Sequence, residues 1–243
     1  MSSPLPRTVE AAFRQIDERA ASVSEIERVE RASREQINQA LAENRPLIVS
    51  RLPGVPACFQ SMEALAERFP GLSITTTHGA LRLSAFVEKI QSSPVDGAAR
   101  ELPSTMVGDS TEVPAALLPG LMKMPFFDGL PARYFEFFMG AAGTATSLHR
   151  DAFDGLCMNF FGRKRWWFVS PSQVALLRPI HSLEGFQRSS VDPRDAAGLQ
   201  LLAERGVRLV EFVAGPGDLI VVPKGWFHFV VALDPALSVR VNL

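Results

Sequence analysis

Apolar positions follow two rhythms along this chain, and the change falls near residue 134. Before it they recur mostly at helical spacing. Val9, Phe13 and Ile16, then Ile26 and Val29, then Ile37 and Leu41 predict helix through residues 8–44. Ser24 with Glu27, or Ser33 with Gln36, would serve as a capping box. The interleaved Glu25, Glu27, Arg28, Glu30, Arg31, Arg34 and Glu35 read as a solvated helical face laced with weak ion pairs. Arg45-Pro46 stops the helix. A short apolar strand at 47–50, a Pro/Gly turn, an amphipathic helix at 61–69, a β-branched strand at 72–77 and a helix at 83–90 follow. Residues 91–125 are rich in Pro, Ser and Gly and are expected to make an ordered excursion over the rest.

From Tyr134 the apolar residues come in short runs punctuated by Gly and Pro. Strands are predicted at 134–139, 147–161 (one bent strand), 165–169, 207–213, 219–222, 227–233 and 237–242. Short helices are expected at 172–177 and 196–205, with a loop across 179–197. Many short strands behind a helical segment predict a mainly β protein with N-terminal helices, a double-stranded β-helix or jelly roll. No boundary divides the chain. One domain is expected over 1–243, with 1–133 packing on a core at 134–243.

Composition narrows the function classes. Lys+Arg number 25 and Asp+Glu 26, a net charge of -1, so charge alone does not hold a long polynucleotide here. Cys58 and Cys157 are the only cysteines and make no disulfide framework, so a reducing, cytoplasmic setting is expected. No apolar run reaches the ~20 residues that span a bilayer, and the N-terminus has no signal-peptide character.

The chemistry gathers around His149-Arg-Asp151. On an extended segment this spacing puts an imidazole and a carboxylate on one face. A third donor is offered far downstream in Pro223-Lys-Gly-Trp-Phe-His228. Two histidines and a carboxylate form the facial set that suits a non-heme ferrous ion and leaves its remaining positions open. Trp226 reads as packing beside that histidine, and Asp218 in Gly-Pro-Gly-Asp as a turn residue. His78 and His181 lack such context; His181 sits in a loop where a substrate role is conceivable. Cys157 reads as a small buried hydrophobe.

The spacing of four blocks resembles the Jumonji-C/cupin-like 2-oxoglutarate oxygenases, with most likeness to the asparaginyl hydroxylase branch. The blocks are Gly143-x-x-Thr146-x-x-His149-x-Asp151, Gly162-Arg-Lys164-Arg-Trp, Gly215-Pro-Gly-Asp218-x-x-x-x-Pro223-x-x-Trp226-x-His228 and Ser238-Val-x-Val-Asn242. The resemblance implies Fe(II) held by His149, Asp151 and His228, with 2-oxoglutarate and O2 as cosubstrates. It implies Lys164 as the cation for the cosubstrate's far carboxylate, with Thr146 and Asn242 beside it. Arg240, two residues before Asn242 and so on its strand face, is the alternative cation. Gly155 and Cys157 stand where the asparaginyl hydroxylase has an amide and an aromatic residue, so the pocket differs. That relative's dimerising C-terminal helices have no counterpart after Leu243. Dimerisation by that route is not expected, and monomer and homodimer both stay open. The implied reaction is hydroxylation of an amino-acid side chain in a peptide or protein, with no membrane partner. An N-methyl-lysine demethylase, a hydroxylase of a tRNA base or small molecule, and a non-catalytic metal- or ligand-binding cupin are the alternatives.

Overall fold

The computed structural model describes residues 13, 16, 24–52, 54–76, 79–92, 104–107, 116–124, 126–127, 134–181 and 186–243. The first half holds β1 (Glu27–Val29), α1 (Arg34–Ala42), β2 (Leu47–Val49), α2 (Met62–Arg68), β3 (Ser73–Thr76), β4 (Gly79–Arg82), α3 (Leu83–Gln91), β5 (Ser104–Val107) and α4 (Leu118–Met122). The second holds β6 (Tyr134–Gly140), β7 (Ala145–Asp151), β8 (Gly155–Phe161), β9 (Lys164–Val169), α5 (Val174–Leu177), β10 (Ile180–His181) and β11 (Phe186–Arg188). It closes with α6 (Ala196–Glu204), β12 (Val210–Ala214), β13 (Leu219–Val222), β14 (Phe227–Ala232) and β15 (Ala236–Asn242). Among the described residues no helix is long and apolar enough to cross a membrane.

Two large sheets organise most of these strands, and β3 and β4 pair separately. One has seven, in the order β1-β2-β13-β8-β15-β6-β5; the other has six, in the order β10-β11-β7-β14-β9-β12. Apart from the parallel pair β1–β2, every pairing is antiparallel. This is the jelly-roll architecture expected from the strand rhythm.

Period-two alternation gives each sheet an outer and an inner face. Leu156 and Met158 of β8, Val239 and Val241 of β15, Leu219 and Val221 of β13 and Phe135, Phe137 and Met139 of β6 share one core with Ile37, Leu65, Leu83 and Phe86 of the helices. The N-terminal helices thus cover the outer face of the seven-stranded sheet. Each such aliphatic or aromatic side chain, fully buried, contributes about 1.5–3 kcal/mol. Leu148, Trp167, Val169, Phe227, Phe229 and Val231 line the outside of the other sheet and pack with Leu177 and Leu202 of α5 and α6. The residues that alternate with these face the interior, and they include every candidate site residue on these strands except Thr146.

Several sequence expectations are corrected. The helix expected over 8–44 is helical only as α1 in its described later part, where Ser33 and Gln36 form the capping box. Residues 27–29 are a strand instead. Arg28 explains why: it donates to Asp218 Oδ2, Ser50 Oγ and the Val213 carbonyl, each at 2.8 Å. Tertiary partners outweigh a weak helical period. The bent strand at 147–161 is two strands in different sheets, because the turn after Asp151 carries the chain across the sandwich. The loop expected at 179–197 contains β10 and β11, which extend the six-stranded sheet beside β7. Much of the excursion at 91–125 lies outside the described residues, but β5 adds to the edge of β6 and α4 follows.

Gly162 joins β8 to β9 with φ +72°, and a Cβ there would lie 2.3 Å from the Pro235 carbonyl oxygen. Gly162→Ala is expected to cost about 2 kcal/mol or more, read as a lower urea midpoint at unchanged slope. An unchanged midpoint would mean the turn relaxes freely.

Candidate metal centre

The interior of the sandwich has an apolar part and a polar part. Trp166, Phe168, Ile220, Val222, Trp226 and Cys157 make one compact cluster. Beside it the backbone ladder brings polar residues together. His228 on β14 is the direct cross-strand partner of His149 on β7, so both imidazoles leave the sheet on the same side. Their ring centroids are 4.2 Å apart. Asp151, two residues beyond His149, places Oδ1 3.8 Å from His149 Nε2 and Oδ2 3.8 Å from His228 Nε2. The ligand atoms of the three residues all lie within 4.8 Å of one another, and all three residues are buried.

Their surroundings fix how they present those atoms. His149 Nδ1 meets the Ser147 carbonyl at 2.7 Å and His228 Nδ1 meets the Trp226 carbonyl at 3.1 Å. A carbonyl only accepts, so each Nδ1 carries the hydrogen and each Nε2 keeps its lone pair turned inward. Burial lowers the pKa of both imidazoles, that of His228 to about 3, so both are neutral donors at physiological pH. Burial opposes the charge of Asp151, but Arg240 and the two histidines more than offset this and hold its pKa below the usual carboxylate value. Neither Asp151 oxygen has a hydrogen-bond partner of good geometry among the described residues. Two inward lone pairs and an ionised carboxylate are a donor set that fits a divalent ion.

Arg240 stands directly behind this group. Its Nη2 is ion-paired with Asp151 Oδ2 and its Nε lies 3.8 Å from Glu136 Oε2. Burial disfavours its charge, yet Asp151 and Glu136 keep its pKa above the ordinary arginine value.

Lys164 has a different environment. It opens β9 on the same interior face as Trp166 and Phe168, opposite Ala232 of β14 and Ala214 of β12, and is 8% exposed. Its Nζ sits 5.9 Å from the centre of the Phe138 ring. Among the described residues it has neither a carboxylate nor a hydrogen-bond partner. Burial therefore lowers its pKa to about 8. A buried ammonium without a counter-ion is costly. Asn242 is fully buried, and neither its amide oxygen nor its nitrogen has a hydrogen-bond partner among the described residues.

Thr146 shows what alternation alone misses. By strict period two it would face away from His149. The pairing of β7 with β14 slips between His228 and Val230, so that Val230 stands opposite Thr146. Two residues on β14 match three on β7. This bulge returns Thr146 to the interior.

Other neighbours carried no motif. Glu136 is a buried acid within the apolar run Tyr-Phe-Glu-Phe-Phe, and an acid inside such a run is itself a signal of a polar inner face. Phe186 and Arg188, on a strand taken for loop, pair with Asp151 and His149 and flank the centre. Trp226 is buried in the apolar cluster, its ring 6.1 Å from that of Phe168, and its indole nitrogen donates to Asn44, while Trp166 and Phe168 are the aromatic rings beside His228. Asp218 is a turn residue, accepting from the Gly215 amide and from Arg28. His78 and the His181 side chain lie outside the described residues.

A family model described as a cupin-like domain matches residues 79–243. Among curated proteins the chain is similar to the 2-oxoglutarate and iron-dependent oxygenase JMJD4 of Mus musculus, 28% identical over 120 residues, which are 48% of this chain and 28% of that protein. It is similar to the arginine-specific demethylase JMJ20 of Arabidopsis thaliana, 27% identical over 121 residues (48% and 25%). It is also similar to tRNA wybutosine-synthesizing protein 5 of Danio rerio, 31% identical over 119 residues (48% and 34%). The chain spans about a quarter to a third of the length of these relatives.

Lys164→Met removes a buried unpaired charge, and the ligand-free protein is expected to gain on the order of 1 kcal/mol or more at pH 7. The wild type's own pH dependence has the matching sign. Its folded pKa of about 8 lies below the unfolded value of 10.5. The unfolded chain therefore holds more protons between these values, and Lys164 makes stability rise with pH there. Denaturant melts of both proteins at pH 7 and pH 10 check this; a variant no more stable at pH 7 would show that the ammonium has a partner.

Proposed function

The chain belongs to the cupin-like domain family, and we propose that it is an Fe(II)- and 2-oxoglutarate-dependent oxygenase hydroxylating an amino-acid side chain within a peptide or protein. The observation that carries this reading is the buried convergence of His149, Asp151 and His228 with their free donor atoms turned toward one another. Relatives named as 2-oxoglutarate and iron-dependent oxygenases support the cofactor choice. The motif spacing shared with the asparaginyl hydroxylase branch supports an amino-acid side chain as target. Two free thiols, Cys58 and Cys157, support a reducing cytoplasmic setting.

Bound by His149, Asp151 and His228, ferrous iron would supply oxidative chemistry in which O2 converts 2-oxoglutarate to succinate and CO2 and delivers its second oxygen atom to a C–H bond. The chain's own residues do the rest. Three protein donors leave room for a cosubstrate that binds through two atoms and for oxygen. Lys164 supplies the positive charge for the far carboxylate of 2-oxoglutarate, with the Thr146 hydroxyl from the same sheet and the Asn242 amide from the facing sheet as neutral partners. Trp166, Phe168 and Trp226 keep that interior apolar, which strengthens the ammonium–carboxylate pair and excludes bulk water. Arg240 is already engaged by two carboxylates, which favours Lys164 as the cosubstrate's anchor.

His149→Ala and His228→Ala are expected to abolish succinate formation from 2-oxoglutarate while leaving the circular dichroism spectrum unchanged; continued succinate release would sink the metal assignment. Lys164→Ala is expected to weaken 2-oxoglutarate binding about 10- to 100-fold, the equivalent of ~1.5–3 kcal/mol for a charge-assisted hydrogen bond. In the wild type, affinity should be level up to pH 7.5 and fall as pH rises through about 8, where the free lysine loses its proton. Anaerobic calorimetry from pH 6.5 to 9.5 reads this directly, and a flat profile would point to another cation. Mass spectrometry of peptides and of tRNA nucleosides after turnover identifies the substrate. Gain of one oxygen on a peptide supports the reading, loss of a methyl group turns it toward demethylation, and an oxidised tRNA base overturns the peptide assignment.

A further inference from the structure

We infer that Arg240 is a positioning residue for the metal centre, one that occupies the Oδ2 side of Asp151 so that the carboxylate is presented through Oδ1 alone. This rests on the reading of His149, Asp151 and His228 as metal ligands. Arg240 is 5% exposed and lies between two carboxylates, ion-paired to Asp151 Oδ2 on one side and 3.8 Å from Glu136 Oε2 on the other. Glu136 is its cross-strand partner on β6, and Cys157 is its partner on β8. The Phe153 ring covers the guanidinium at 5.5 Å. A planar fork gripped at both ends is a rigid support, which a lysine at this place would not be.

The adjacent backbone makes room for that fork. At Gly155 a Cβ would meet Arg240 Nε at 2.6 Å and Nη2 at 2.8 Å, and the residue has no left-handed φ that would itself require glycine. Gly155 is a glycine because the guanidinium lies over it. Two strands of the seven-stranded sheet, a glycine and a phenylalanine of the crossing turn therefore hold one cation against one carboxylate of the opposite sheet.

The arrangement has a chemical consequence. A free carboxylate can ligate a metal through one oxygen or both. A cosubstrate that binds through two atoms and an oxygen molecule together need three positions, so a six-position ion accepts only three from the protein. A guanidinium fixed on Oδ2 opposes chelation through both oxygens and keeps the third of those positions open.

Anaerobic titration of the full chain with Co(II), without 2-oxoglutarate, tests this through affinity and through the visible ligand-field bands, whose intensity follows coordination number. Arg240→Met and Gly155→Ala are the main variants. Gly155→Ala keeps every charge and crowds the guanidinium of Arg240, so it separates position from charge and carries the test if Arg240→Met fails to fold. Both are expected to weaken Co(II) binding about 10- to 100-fold, the usual cost of losing a partner of a metal ligand, and to change the bands. Arg240→Lys should recover part of the affinity but not the wild-type spectrum. At saturating Co(II), the 2-oxoglutarate affinity of Gly155→Ala should equal that of the wild type. Wild-type Co(II) affinity and bands in both main variants would overturn the inference. So would an unchanged Co(II) titration with lost 2-oxoglutarate affinity, which would make Arg240 a cosubstrate anchor. If the wild type itself takes up no Co(II), the metal-centre reading fails first, and this one with it.

Discussion

His149 and His228 meet because the backbone hydrogen bonds between Ala145–Asp151 and Phe227–Ala232 set them directly opposite each other. In an antiparallel ladder, opposed residues leave the sheet on the same side with their side chains close together. A slip of one residue would turn one imidazole outward and break the group. The outer face resists such a slip, since Leu148, Phe227, Phe229 and Val231 are buried in a core of their own and would be forced inward by it. The apolar contacts outside the sheet thus hold the register that the polar site inside requires.

The same division of labour runs through the other sheet. Leu237, Val239 and Val241 anchor β15 against the helices, while Ser238, Arg240 and Asn242 alternate with them into the interior. A jelly roll is suited to this, because each strand has one side for stability and one for chemistry, and neither needs a separate loop. Side chains carried on paired strands keep tighter positions than side chains on loops.

Buried ionisable groups are the cost of the design. Asp151, Arg240 and Glu136 share their charges in a compact network. Lys164 stands apart from it, beside Phe138. The network's one cation has two carboxylate partners, so the guanidinium is held without a ligand. Among the described residues the Lys164 ammonium has no carboxylate beside it, and burial lowers its pKa to about 8. The two buried cations, one on each sheet, thus sit in different electrostatic surroundings.

Much of this could be read from the residues alone. The strand rhythm after Tyr134, the one-face spacing of His149 and Asp151, and the shared parity of Arg240 and Asn242 follow from period-two geometry, which is local. The helix over residues 27–29, the single strand at 147–161 and the loop holding β11 were misread because non-local partners decided them: Arg28 reaching Asp218, a turn that sends the chain to the opposite sheet, and an edge pairing with β7. Sequence by itself determined which residue types were present and which side of a strand most of them would take. Tertiary structure alone decided that His228 would stand opposite His149, that a bulge would return Thr146 to the interior, and that Arg240 would find a carboxylate while Lys164, among the described residues, would not. Alternation is written into each strand, whereas register and charge pairing arise only when strands distant in sequence lie side by side.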